Sequence, residues 1–302
     1  MKNLWATAGA LWGLALAAGA ATTEGLSTPF LSMGAGARAA ALGQAYTAVA
    51  NDATAVYWNP AALPFLHRRT VTLMHGALVG SAMTYDYAAF GQKWGRHGGV
   101  GVGLQHLSAG GLVLADASGA RQGEFKPRDF AGSLAVGGQW SGAAVGATVK
   151  LVRRQVVNTA QTLAYDVGVL SPFYFGNRLR LGAAATNLGG ALKFDQVKEK
   201  IPATHRGGAV VRFSPRAFAS VEAEKKTGAR AALRVGGEYA LDWKTGALAL
   251  RAGYDSGLTE DRGAAGFTVG LGLGFDNVKV DYALIPNREG DVSHLLSLTT
   301  WF

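Results

Sequence analysis

The chain has 302 residues, of which 49% are hydrophobic and only 16% charged, with 43 glycines and a net charge of +9. A water-soluble globule carries about 25% charged residues and about 7% glycine, and no apolar run after residue 21 is long enough to cross a bilayer as a helix. That leaves many strands with one face toward lipid as the way to use this hydrophobicity. The positive charge comes without Lys/Arg clusters interleaved with aromatics, so nucleic acid is excluded as a partner, and a basic surface against anionic lipopolysaccharide fits better. With no cysteine, disulfides, thiolate metal sites and a cysteine-linked lipid anchor are excluded as well.

Residues 1–20 read as a secretory signal peptide: Lys2 gives a basic start, Leu4 to Ala17 an apolar stretch, and Ala18 and Ala20 a small-residue site with cleavage after Ala20. Residues 21–67 do not alternate. Within them Leu42, Ala45, Tyr46 and Val49 recur at helical spacing, and Asn51-Asp52 is placed to cap a second short helix beginning near Ala53. Asn59 then caps a turn whose first helical residue is Pro60. The segment is too small for a core of its own and must pack on something.

From residue 68 to residue 302, short alternating stretches separated by turn residues give the signature of a transmembrane barrel. They are 69–75, 82–92, 98–108, 129–140, 143–153, 161–170, 178–187, 205–213, 217–225, 231–241, 246–254, 265–275, 277–285 and 293–302, fourteen in all. In 267–275, Phe267, Val269, Leu271, Leu273 and Phe275 share one face while Thr268, Gly270, Gly272 and Gly274 share the other. Leu163, Tyr165, Val167 and Val169 oppose Thr162, Ala164, Asp166 and Gly168 in the same way. Links after even-numbered strands are short, whereas those after odd-numbered strands include the long 109–128 and 188–204. Short periplasmic turns and longer outer loops are the rule for outer-membrane barrels, so both termini are expected on the periplasmic side of a Gram-negative outer membrane. The ending Leu296, Leu298, Trp301, Phe302 looks like the signal such barrels present to the barrel assembly machinery, with Thr300 a departure from it.

The expected fold is therefore all-β: a transmembrane antiparallel barrel of about fourteen strands with a short helical N-terminal plug. Fourteen strands enclose more space than side chains alone fill, which makes residues 21–67 the candidate occupant of the lumen. Alternation points Lys150, Arg180, Arg212, Arg234, Arg251 and Lys279 inward against Asp86, Asp166, Glu222, Glu224, Glu238 and Asp281. Six charges of each sign favour ion pairs bracing the wall over a single-sign ion filter. Tyr85, Tyr87, Trp94, Trp140, Tyr165, Tyr239, Tyr254 and Trp301 are expected near strand ends or on the lipid face, as an aromatic girdle.

Catalytic chemistry finds no foothold. None of His67, His75, His97, His106, His205 and His294 sits in an HxxxH or GxSxG pattern, so neither a catalytic residue nor a metal ligand is assigned and no cofactor is expected. Gly34, Gly36 and Ala39 mimic a dinucleotide fingerprint, but no strand precedes them and no βαβ unit follows.

Gly34-Ala35-Gly36-Ala37-Arg38, Leu42-Gly43-Gln44-Ala45, Ala48 to Asp52, and Tyr57-Trp58-Asn59-Pro60-Ala61-Ala62-Leu63 together resemble the PorV/PorQ family of outer-membrane proteins, itself related to the long-chain fatty-acid transporter FadL. The family pattern has glycine where this chain has Ala62. The resemblance implies a fourteen-stranded barrel whose luminal hatch carries this motif. It also implies one of two non-enzymatic functions. The first is passive transport of hydrophobic compounds past a movable hatch, with an apolar pocket at the hatch and a lateral gap in the wall, often at a strand kink. The second is a binding platform for protein secretion and surface attachment of the type IX kind, whose partners are secretion-system proteins.

Overall fold

In a computed structural model, the chain closes into an antiparallel barrel of fourteen strands around its own N-terminal segment. The structure describes residues 29–78, 83–110, 112–115, 121–155, 158–194, 197–258, 266–286 and 292–302. The expected signal peptide and the first residues of the hatch lie outside these.

The wall begins with β1 (Thr70–Leu78), β2 (Met83–Trp94) and β3 (Gly98–Ser108), followed by a small separate hairpin of β4 (Leu112–Ala115) and β5 (Arg121–Phe125). It continues with β6 (Arg128–Trp140), β7 (Ala143–Gln155), β8 (Thr159–Leu170) and β9 (Leu179–Leu188), then a second hairpin of β10 (Ala191–Phe194) and β11 (Val197–Lys200). The remaining strands are β12 (Thr204–Ser214), β13 (Ala217–Lys226), β14 (Ala231–Trp243), β15 (Gly246–Asp255), β16 (Phe267–Phe275), β17 (Val278–Pro286) and β18 (Val292–Trp301). Closure comes from β18 pairing with β1, in a register running from Thr70 opposite Trp301 to Ala77 opposite His294. Each strand expected from alternation is present within a few residues of its expected ends. The two hairpins inside the long links were not foreseen, because four or five residues are too few for a period-2 pattern to stand out.

Successive side chains alternate between a face that no protein covers and a face that is buried. Leu134, Leu163, Val167, Val169, Leu271 and Leu273 are exposed, while Ala164, Asp166 and Thr268 are buried. In water such an apolar outer belt would be untenable; in a bilayer it is the contact surface. Trp94, Trp140, Phe213, Trp243, Phe275 and Phe302 are exposed at the edge that carries the short turns, where an interfacial girdle belongs.

The structure corrects one strand's facing. Tyr85 and Tyr87, expected outward, point into the lumen and are buried, and Asp86, expected inward, is outside. The Tyr87 ring packs edge-on to Tyr57 of the hatch at 6.3 Å, and Tyr85 accepts a hydrogen bond from Gln105 at 2.9 Å. Asp86 instead pairs with His75 across the strand at 2.7 Å and lies 3.7 Å from His106. Burying two rings against the hatch outweighs the single inward carboxylate, which finds partners and water at the outer rim.

Within the hatch, α1 (Ala37–Ala41) and α2 (Ala55–Trp58) are flanked by 3-10 turns at Pro29–Ser32 and Pro60–Phe65. The helix expected through Leu42 to Val49 does not form. Gly43 and Gln44 both take left-handed backbone, with φ of 59° and 62°, which ends α1 and turns the chain. The α2 helix starts two residues later than expected, because Asp52 Oδ1 accepts the Thr54 N–H at 2.8 Å and tightens the turn before it.

Candidate functional site

The site is the lumen, and its central object is the hatch. Phe30, Leu42, Tyr46, Tyr57, Trp58 and Leu63 are buried together, each contributing about 1.5–3 kcal/mol of apolar burial. Tyr57 and Trp58 meet edge to face at 4.9 Å. Trp58 Nε1 donates to the Ala35 carbonyl at 2.8 Å, Tyr57 OH donates to Leu31 O at 2.9 Å, and the Gly34 N–H donates to Tyr57 OH at 3.1 Å. The Gly34-to-Arg38 and Tyr57-to-Leu63 stretches are thus one folded unit. Asn59 is wholly buried; its Oδ1 accepts the Ala61 N–H at 3.1 Å, capping the turn that Pro60 opens, and its Nδ2 donates to Thr47 O and to Val169 O of the wall at 3.2 and 3.1 Å.

The wall is shaped to receive this unit. A Cβ on Gly137 would sit 2.5 Å from the Pro60 carbonyl, one on Gly236 2.5 Å from the Leu42 carbonyl, and Gly99, Gly146 and Gly253 meet hatch backbone just as closely. These glycines are a seat for main chain, whereas in 267–275 Gly270 faces the Ala41 side chain and Gly272 makes room for Arg251 and Asp281. Polar pins complete the seat: Ala37 N–H to Ser297 Oγ at 2.7 Å, Gly43 N–H to Thr268 Oγ1 at 3.1 Å, Thr47 N–H to Glu222 at 2.8 Å, and Gly36 N–H to Met74 Sδ at 3.2 Å.

Arg38 ties hatch to wall by charge. Its Nε and Nη2 donate to both oxygens of Glu238 at 2.8 and 2.9 Å, and its Nη1 donates to Asn51 at 2.7 Å and Tyr46 OH at 3.2 Å. Burial opposes its charge, yet Glu238, Tyr46 and Asp52 together hold the guanidinium well above its ordinary range. Burial likewise pushes the Tyr46 phenol well up, so that it serves as a donor to Asp52 at 3.0 Å.

Among the described residues, three groups of inward charges pair closely, and Arg180 and Arg212 belong to none of them. Lys150 pairs with Asp166 at 2.7 Å and donates to Asn187 at 2.9 Å. Arg251 bridges Glu238 at 2.6 Å and Asp281 at 2.9 Å, with Lys279 at 3.4 Å from Asp281. Arg234 reaches Glu224 at 2.7 Å and Asp255 at 3.0 Å, and Arg206 reaches Glu224 at 2.7 Å. Arg206 and Asp255 are absent from the expected set. Arg206 lies within the expected strand 205–213 at the parity of Arg212, and Asp255 is reached by extending 246–254 one residue at the parity of Arg251 and Gly253; parity was the signal that finds both.

The hatch separates cavities at the two ends of the lumen. Toward the long loops, a cavity of about 210 Å³ is lined by Met33, Leu78, Tyr85, Leu258, Ile285 and Leu295, with Glu224 and Arg234 at its side. Toward the short turns, cavities of about 660 and 410 Å³ share Arg38 and Asn51. The wall is least continuous between β8 and β9. Its register there runs only from Tyr165 to Leu170 on β8, with a shift between Tyr165 and Val167. Asn187 takes φ 61° at this bulge and gives its N–H to Asp166 at 2.8 Å. Beyond it, β8 is met by the β10–β11 hairpin, where the Ala191 N–H donates to Thr162 Oγ1 at 3.2 Å and Leu192 and Ile201 are buried.

Several solved structures share this architecture. The Ralstonia pickettii toluene transporter TbuX matches with a TM-score of 0.60 at 14% identity, over 89% of this chain and 98% of that one. The CymD monoaromatic hydrocarbon channel matches with 0.62 at 13% identity over 89% and 98%, and a Pseudomonas aeruginosa FadL homologue with 0.56 at 12% over 84% and 95%. At these identities the likeness establishes the fold. No curated protein matches the chain. The model of an uncharacterised protein family, UPF0164, matches residues 18–169, from before the hatch to the end of β8. On that match the chain belongs to the UPF0164 family.

Proposed function

We propose that this protein is an outer-membrane channel for passive entry of hydrophobic compounds, with residues 21–67 as a movable hatch and the short turns and both termini on the periplasmic side. The observation that carries this reading is how the hatch is held: an independent apolar unit, pinned to the wall by side chains instead of sharing its sheet, with a cavity at each end. The proteins titled toluene transporter and monoaromatic hydrocarbon channel use the same fold, which supports an apolar cargo. The short β8–β9 register and its bulge are the place where cargo would leave sideways into the membrane, because fewest ladder hydrogen bonds must part there. The Gly34-to-Arg38 and Tyr57-to-Leu63 motif supports a place near the PorV/PorQ group.

The test is deletion of residues 21–60 in protein reconstituted into vesicles. Permeability to small solutes is expected to rise; unchanged permeability sinks the hatch. Purification in mild detergent followed by mass spectrometry then identifies cargo. A retained apolar or acyl compound supports transport, and a secretion component without one turns the reading toward the platform.

A further inference from the structure

The cavity of about 660 Å³ at the short-turn end holds a feature that transport of neutral hydrocarbons does not require. Arg180 of β9 and Arg212 of β12 both line it at the short-turn end, and Arg178 and Arg38 stand at its margin. In the ladder Arg180 faces Val210, so Arg212 lies two residues on along the same face. Arg180 is only 6% exposed, and its Nε and Nη2 have no hydrogen-bond partner. Among the described residues no carboxylate forms an ion pair with Arg180 or Arg212. The one acidic side chain lining the cavity, Glu238, is already held by Arg38 at 2.8 Å and Arg251 at 2.6 Å.

What Arg180 touches instead is aromatic: the Phe65 ring at 4.2 Å and the Phe173 ring at 5.0 Å, with Arg212 4.3 Å from Phe173. A ring face offsets about 0.5–2 kcal/mol of a cation's desolvation, whereas removing a guanidinium from water costs several kcal/mol. Two like charges kept together on those terms form an anion site. The rest of the lining decides which anion. That lining is mixed, with Ala48, Val49, Val210 and Phe218 apolar beside Asn51, Asn177 and Ser214; the apolar side chains suit an anion that carries a carbon body, so a single carboxylate on such a body uses both halves. Guanidinium and carboxylate also match in planar, two-bond geometry.

We propose that this cavity binds the carboxylate of a small amphiphilic acid, aromatic or short aliphatic, with Arg180 and Arg212 clamping the anion and Val49, Val210 and Phe218 against the apolar body. The site is independent of the transport reading, since it would bind equally in a barrel whose hatch never moves.

The experiment is calorimetric titration of the whole protein in uncharged detergent micelles with sodium benzoate, at fixed ionic strength, beside benzyl alcohol and sodium phosphate. Benzoate is expected to bind saturably, and both comparison compounds at least about ten-fold more weakly. Arg180→Gln and Arg212→Gln should each weaken benzoate by at least about ten-fold while keeping the gel mobility of the folded barrel. Should Arg180→Gln not fold, Arg212→Gln, at the half-exposed edge, decides alone. The proposal is overturned if folded wild-type protein shows no saturable benzoate binding, if phosphate or benzyl alcohol binds as tightly, or if the folded variants bind like wild type.

Discussion

Two pairs of arginines, one toward each end of the lumen, are treated in opposite ways. Near the long loops, Arg206 and Arg234 share Glu224, with Glu222 and Asp255 within 4.0 Å of one or both. Near the short turns, Arg180 and Arg212 meet phenyl rings and no carboxylate among the described residues. Arg206 of β12 and Arg234 of β14 flank β13, which sets Glu222 and Glu224 between them, whereas Arg180 of β9 and Arg212 of β12 stand on directly paired strands with no acidic strand between them. The difference teaches that the first pair is part of what holds the barrel in shape, whereas the second pair is kept at some expense for another purpose. Stability measurements separate the two.

The largest effect belongs to the long-loop end. Glu224→Ala removes the acceptor of Arg206 Nε and of both Arg234 terminal nitrogens, at 2.7, 2.7 and 2.9 Å. Leaving two buried guanidinium groups short of charge should destabilise the barrel by about 3–5 kcal/mol, read as a lower urea midpoint for loss of folded-barrel gel mobility. A midpoint within error of wild type would mean that these ion pairs do not brace the wall. Next comes the seat between the ends. Gly253→Val places side-chain carbon against the backbone of Leu42 and Gly43, and the overpacking should destabilise by about 1–3 kcal/mol. Here the hatch moves and not the sheet, so vesicles holding this variant should leak small solutes while its barrel mobility persists; a tight vesicle places the strain elsewhere. Asn59→Ala is smaller, about 1–2 kcal/mol, from loss of the cap on Ala61 and of the bond to Val169. Protease access to the hatch is its readout, and unchanged cleavage would show that the cap is dispensable.

How much of this was written in the sequence depends on whether one strand or two had to be read. Single-strand facts were legible: Phe267 to Phe275 could alternate only by presenting one face to lipid and one to the lumen, and the count of fourteen alternating stretches matches the strands of the closed barrel. Tyr85-Asp86-Tyr87 misled because tyrosine tolerates either face, and only the hatch's own aromatic cluster decides between them. The Leu42–Val49 helix misled because Gly43 and Gln44 turn to meet Thr268 and the wall, a partner 225 positions away. Arg180 and Arg212 were legible as inward-facing. That they lack carboxylates was not, because pairing depends on which strands adjoin and how far along each residue stands. The glycines were noticed as composition, but their meaning appears only when hatch main chain is laid against them.

The smallest expected change is the one most diagnostic of the opening contrast. Arg180→Met keeps most of the side chain's length and its apolar contact with Phe65 and Phe173 while deleting a buried charge that no described carboxylate balances. Methionine beside aromatic rings packs favourably, and replacing a poorly compensated buried charge with an apolar group is often neutral or stabilising. The urea midpoint should therefore shift by no more than about 1 kcal/mol, and in the stabilising direction if at all. Were Arg180→Met to destabilise as strongly as Glu224→Ala, Arg180 would be a structural brace like Arg234 and the contrast between the two ends would collapse. A neutral midpoint with loss of benzoate binding would instead mark a residue retained for a ligand, because the fold alone gives no reason to keep its charge.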